Sequence, residues 1–425
     1  MASSIPDNTK LRLAALAVIF AIGIFLRITP HAFVQGASLH AFAAVHPQPA
    51  VMELGFDEGL YREYVNVVIR QGVTSYPDIV QGYIGVQQKL TGSILPPLRF
   101  LYIFTAYCWH CLFGTEALQA LYQVAAFFSM LTLVLATAFA WRVKGPTWAI
   151  AIAALMAFAP TQIHMSQHAL VDGFFTFWAL LVLWFFWENL QHPRDWRWLA
   201  VYVLALALLV LTKENSFFVW VALVVLILSN RWLQFGTTTR ELVVATVLGP
   251  LLGVVILIFL AGGIDVLIQT YRLSVSKNFQ LEYAVLTGDG PWYRYLVDLL
   301  LVSPIILLLA FGTLFRLNRS MKPELFMSIF IAASYVIMCN IKYGMNLRYT
   351  NMWDMPLRFL AFSQLVALTS LAKRYQAALT AVAVALIAAF EFRQYLILAV
   401  QYPLYEMATD ILMRALHILK YSTHP

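Results

Sequence analysis

Apolar stretches recur along most of the chain, separated by short polar turns. The first covers residues 12–28, after Lys10 and Arg12. Further runs cover roughly 118–141, 148–163, 173–190, 198–212, 216–230, 241–261, 295–315, 324–341, 352–371 and 376–396. A helix needs about 20 apolar residues to cross a bilayer, so the pattern predicts an all-α polytopic membrane protein with about eleven spans. Residues 98–113 are also apolar, but barely long enough to span, and they follow Pro96-Pro97. Positive-inside bias decides their placement. With this segment flat on the outer surface, Arg142/Lys144, Arg194/Arg197, Arg231/Arg240, Arg316/Arg319/Lys322 and Lys373/Arg374 all fall inside. If it spans, every one of those groups moves outside. The flat reading puts the N-terminus inside, the C-terminus outside, and leaves two large outer loops, about 29–117 and 262–294. The small-x-small site Ala41 to Ala43 lies too far past the first run for signal cleavage, so that run is expected to be retained.

Composition agrees. Of 425 residues, 61% are apolar and 12% charged, with a mean hydropathy of +0.75, where soluble proteins carry about 25% charged residues. The formal charge of +7 is scattered rather than clustered, which excludes a nucleic-acid surface. Cys108, Cys111 and Cys339 make no disulfide framework. No linker or low-complexity tract separates a soluble domain, so residues 1–425 read as a single membrane domain.

The remaining charges carry the candidate chemistry. In the first outer loop, Asp57 and Glu58 precede Leu60, Tyr61, Tyr64, Val65, Val68 and Ile69. That spacing predicts an amphipathic helix against the outer leaflet. Asp57 at its start is either an N-cap or, with Glu58 beside it, a general base or divalent-metal ligand. His164, His168 and Asp172 recur every fourth residue after a span ending near Pro160, and a continued helix would place them on one face, as solvated polar groups or as metal ligands. Asp57, Asp172 and His168 are the candidate donors for a divalent ion. Lys213, Arg272, Lys277 and Arg348 lie at outer span ends, against the positive-inside trend. They either snorkel or hold a phosphate at the membrane surface. Cys108-Trp109-His110-Cys111 has redox spacing but no thioredoxin-like context.

These motifs resemble the C-type (GT-C) superfamily of integral membrane glycosyltransferases, in particular its protein O-mannosyltransferase and aminoarabinose transferase branch. Phe56-Asp57-Glu58 with Tyr61 is similar to the acidic motif opening that family's first outer loop. Leu95-Pro96-Pro97-Leu98 with Tyr102 and Phe113-Gly114 resembles its juxtamembrane segment. Ala169-Leu170-Val171-Asp172 resembles its second outer acid and Thr212-Lys213 its TK pair. Gly290-Pro291-Trp292-Tyr293 with Pro304, and Arg348-Tyr349 with Pro356, resemble the later motifs. The resemblance implies a polyprenyl-phosphate sugar donor, transfer on the outer face to a lipid, glycan or protein acceptor, and Asp57 as the leading catalytic acid, with Asp172 nearby and Glu58 ranked below. Lys213 and Arg348 would face the donor phosphate. Leu95 departs from the family, whose members often carry His or Lys there, and Lys89 is a candidate substitute.

Two other classes compete. A transporter or flippase would place ionisable groups along a path, but Glu188, Asp298 and Glu391 fall near span ends and matching broken helices are not evident in the sequence. A lipid-linked glycan polymerase or ligase would share the donor and leaflet.

Overall fold

The computed structural model describes residues 7–48, 54–281, 283–284, 288–341, 344–402, 404–405 and 408–417. Every regular element among them is helical. All eleven expected apolar runs are helical, but by length and apolarity six segments suffice to cross a membrane, or seven with one bent pair counted as a span. The difference has two sources: some runs form shorter helices, and two runs are broken. Residues 418–425, which carry the expected outer C-terminus, and parts of both outer loops (49–53, 282 and 285–287) lie outside the described residues.

The bundle is built around α5 (Ala117–Lys144) and α8 (Val171–Gln191), which pack together. Against them lie α1 (Asp7–Arg27), α6 (Pro146–Ala157), α9 (Trp196–Val210) and α10 (Ser216–Leu233), and α11 (Arg240–Ala261) packs on α9. Small residues set the closest helix approach. A Cβ on Gly249 would sit 2.7 Å from the Leu206 Cβ, and one on Gly253 2.7 Å from the Ala207 carbonyl oxygen, so the two glycines let α11 lie directly on α9.

The run at 148–163 breaks at Pro160, with a bend of 59° between α6 and α7 (Pro160–Ser166). Proline has no amide hydrogen and drives the preceding residue out of the helical region; Ala159 is accordingly extended, at φ −64° and ψ 117°. The carbonyls freed by the break are taken by Arg27, whose guanidinium donates to Met156 O at 2.8 Å and Ala157 O at 3.1 Å. The run at 295–315 breaks similarly at Pro304, between α13 (Arg294–Val302) and α14 (Pro304–Leu314). Both runs are thus broken at a proline. The first break is filled by protein: Thr161 and Gln162 both donate to Asp354, at 2.5 and 2.8 Å. Asp354 opens α16 (Asp354–Thr369) and pairs with Arg358, which reaches Glu391 on α17 (Gln376–Tyr395) at 2.6 Å. The helix α15 (Lys322–Met338) packs on α10 and α16.

Outside the bundle, α2 (Phe56–Gln71), α3 (Tyr76–Lys89) and α4 (Phe100–Phe113) form a cap over the N-terminal half of α5. At 1.5 Å per residue the 14-residue α4 reaches only about 21 Å, short of the ~30 Å hydrocarbon core. The amphipathic helix is observed, but its apolar face does not lie on the leaflet. Tyr61, Tyr64, Val65 and Val68 are buried by protein, with the Tyr61 ring edge-on to Tyr102 at 5.1 Å. Tertiary burial offered that face more contact than a lipid surface would. Against α3 and the end of α11 packs α12 (Ile264–Asn278), which begins the second of the loops expected outside.

Candidate functional site

Four charged side chains from four separate elements meet where α2 and α8 begin. Arg348, on the 3₁₀ segment Leu347–Trp353, places Nη1 3.0 Å from Asp57 Oδ2 and Nε 3.8 Å from Asp172 Oδ2. Lys213, in the turn between α9 and α10, donates to Asp172 Oδ1 at 2.5 Å. The order is therefore Lys213, Asp172, Arg348, Asp57, alternating in sign. Both cations also lie against the Tyr349 ring, Lys213 Nζ at 4.0 Å and Arg348 Cζ at 5.8 Å from its centroid, a favourable arrangement for a cation and a π face. Exposure is graded: the side chains of Lys213 and Asp172 are 1% and 4% exposed, those of Arg348 and Asp57 15% and 25%. The Asp57 end is the accessible one. Burial lowers the Lys213 ammonium to about 8, against the pull of Asp172 in the other direction.

Local sequence explains how each group is held. The N-cap of α2 is Gly55, not Asp57, which leaves the Asp57 carboxylate for Arg348. Glu58 takes the capping work: its Oε2 accepts from the Gly55 amide at 2.8 Å and its Oε1 from the Ala169 amide at 2.7 Å and His168 Nδ1 at 3.2 Å. Burial raises the Glu58 carboxyl, but those hydrogen bonds outweigh it and hold it below the usual carboxylate range. Glu58 thus ties α2 to the turn before α8. Arg348 is fixed at its backbone, where its amide donates to Asn346 Oδ1 at 3.0 Å.

The proline segment supports the same corner. Tyrosines of α2 and α3 take two of its carbonyls: Tyr64 donates to Leu95 O at 2.5 Å and Tyr76 to Pro97 O at 2.7 Å. Arg99 follows, buried, with Glu214 at 2.5 and 3.2 Å and the Tyr61 hydroxyl at 2.5 Å. Arg99 and Glu214 were not singled out from the sequence. The available signal was a charge directly after an apolar proline segment, which calls for a partner when buried. Burial raises the Glu214 carboxyl, yet Arg99 more than offsets this and holds it at about 2. Lys213 and Glu214, adjacent in sequence, thereby anchor opposite partners.

Other expectations fare differently. His164, His168 and Asp172 do not share a helical face, because α7 ends at Ser166 and Leu170 is extended, at φ −112° and ψ 147°. His164 stacks near His168 and Tyr405, with centroids at 4.5 and 4.0 Å. Lys89 ends α3 and Arg272 lies on α12; neither makes an ion pair among the described residues, and neither joins the four-residue cluster. The expected metal donors do not converge. Asp57 and Asp172 are each engaged by a cation, and His168 turns to Glu58. Among the described residues no three His, Cys, Asp or Glu side chains form a donor set, so the residues present do not fit a resident divalent ion in this arrangement.

Comparison with known proteins adds the wider context. Residues 99–275 match the family model of dolichyl-phosphate-mannose-protein mannosyltransferases. No curated protein matches the chain in sequence. Among solved structures, ArnT from Cupriavidus metallidurans is 17% identical, with a TM-score of 0.54 over 95% of this chain and 75% of that one. The same enzyme bound to undecaprenyl phosphate matches over 92% and 76%, also at 0.54. The oligosaccharyltransferase AglB from Archaeoglobus fulgidus, in complex with an inhibitory peptide and a dolichol-phosphate, is 13% identical, with a TM-score of 0.56 over 96% of this chain. This chain spans 56% of that enzyme's length. The chain thus has the fold of the C-type integral membrane glycosyltransferases and, across residues 99–275, the sequence signature of their protein mannosyltransferase branch.

Proposed function

We propose that this protein transfers a sugar from a polyprenyl-phosphate donor to an acceptor hydroxyl or amide at the outer membrane face. The alternating chain Lys213, Asp172, Arg348, Asp57 carries the reading. Similar folds bind such lipids, undecaprenyl phosphate in ArnT and dolichol-phosphate in AglB. Arg348 and Lys213 would receive the donor phosphate. In the transfer step the acceptor oxygen or nitrogen bonds to the anomeric carbon as the bond from that carbon to the phosphate oxygen breaks. The electron pair goes to the phosphate, and the acceptor proton goes to the Asp57 carboxylate. Two cations beside the leaving phosphate neutralise the charge it gains. Asp172, nearly buried, keeps both cations in place. An arriving phosphate competes with Asp57 for Arg348, which frees Asp57 to act as base only when donor is present. AglB has also been seen in complex with zinc and sulfate; in this chain the cation-paired carboxylates support a reading in which Asp57 acts as base, and no step here passes through a metal.

Asp57→Asn keeps the shape and removes the base. Turnover of a polyprenyl-phosphate sugar by the purified variant should fall by roughly 10²–10⁴-fold with its thermal transition in detergent unchanged. Wild-type turnover by that variant would remove Asp57 from the chemistry.

A further inference from the structure

We propose that a second site, at the end of the bundle opposite Asp57, binds a phosphate-bearing anion. From Asp172 to Glu188, α8 rises about 24 Å, which separates the two sites. The cleft there has a volume of about 570 Å³ and is lined by the C-terminal ends of α5 and α8 and the chain entering α15. Its cations are Arg142, Lys144 and Lys322, with His192 beside them.

Two of these cations are set in place by buried carboxylates. Glu188, 1% exposed, accepts from Arg142 Nε at 3.0 Å and Nη2 at 3.3 Å, and also from Trp184 Nε1. Glu324, 2% exposed, holds Lys144 Nζ at 2.9 Å, and that ammonium also lies 5.2 Å from the Trp148 ring centroid. A charge that served only to orient the chain in the membrane would need no partner of this kind, since burying a carboxylate is costly. The arrangement instead fixes two long side chains at the wall of a cavity, which removes the entropy loss that binding would otherwise impose on them. Arg142 Nη1 and the exposed Lys322 have no ion-pair partner among the described residues. Three cations against two carboxylates leave the cleft net positive. A fork of guanidinium with a nearby ammonium matches phosphate oxygens.

The ligand class is a phosphate ester or inorganic phosphate, and the source is either a lipid headgroup of the adjacent leaflet or a soluble ion. The test compares wild type with Lys322→Gln, whose side chain is solvated and unpaired so that folding is not at issue, and with Arg142→Gln. Each is reconstituted in nanodiscs of equal phosphatidylglycerol and phosphatidylcholine, and retained lipid is read by native mass spectrometry. In parallel, the thermal transition in detergent is read with inorganic phosphate against chloride. A preference for phosphatidylglycerol that falls by about tenfold in both variants assigns a lipid headgroup. A phosphate-specific stabilisation lost in both variants assigns a soluble anion. If neither reading separates wild type from Lys322→Gln, the proposal is overturned.

Discussion

Lys213 shows how much one residue depends on its surroundings. Its ammonium is buried between Asp172 and the Tyr349 ring, with Arg348 and Arg99 adding repulsion and Glu214 attraction. Burial dominates and lowers it to about 8. Below that pH the side chain is protonated and can hold a phosphate; above it the charge is lost and Asp172 keeps only Arg348 as a cation. Donor KM should therefore rise as pH climbs through about 8. Lys213→Arg keeps a charge at all these values and should remove that limb of the profile. The same pH dependence in wild type and variant would exclude Lys213 as its origin. Asp57, by contrast, is legible at the level of sequence only as an acid at a helix start. Its separation from capping duty became visible when Gly55 and Glu58 were seen to do that work.

At the scale of elements, the break between α6 and α7 is the feature on which the site's position rests. Pro160 predicts a break on its own, yet nothing in the run 148–163 says what fills it. Arg27 caps the freed carbonyls, and Asp354 joins Thr161 and Gln162 to Arg358 and Glu391. The same 3₁₀ turn that precedes Asp354 carries Arg348, and the chain leaving α7 leads to Asp172. Arg358→Met leaves Asp354 and Glu391 buried without their cation. Loss of one partner of such a pair costs about 3–5 kcal/mol, so the variant should show a clearly lowered thermal transition in detergent. An unchanged transition would mean that the network contributes little to holding these helices together.

For the whole molecule, orientation is the property that links the chain to its substrates. The basic groups at the ends of α5 and α8 and at the start of α15 gather at one end, and Asp57, Asp172, Lys213 and Arg348 at the other. Positive-inside bias assigns the first end to the inside. Single cysteines introduced near residues 90 and 195, in a background lacking Cys108, Cys111 and Cys339, give the test. An impermeant thiol reagent applied from outside should label the first alone; labelling of the second alone would invert the topology and move the site to the other face.

The sequence alone determined the class of molecule, since eleven apolar runs and so few charges admit only a membrane bundle, and it marked Asp57, Asp172, Lys213 and Arg348 as charges left over once the basic groups that set orientation are set aside. Hydropathy is a local property, so helices were legible while their lengths, their partners and what fills their breaks were not. Only the tertiary structure decided that Glu58 ties α2 to the turn before α8, that Arg99 and Glu214 brace the corner, that Lys89 and Arg272 stand apart, and that of the expected metal donors Asp57 and Asp172 face cations while His168 faces Glu58. Those outcomes depend on which side chains meet across more than a hundred residues of chain, and no local pattern encodes that distance.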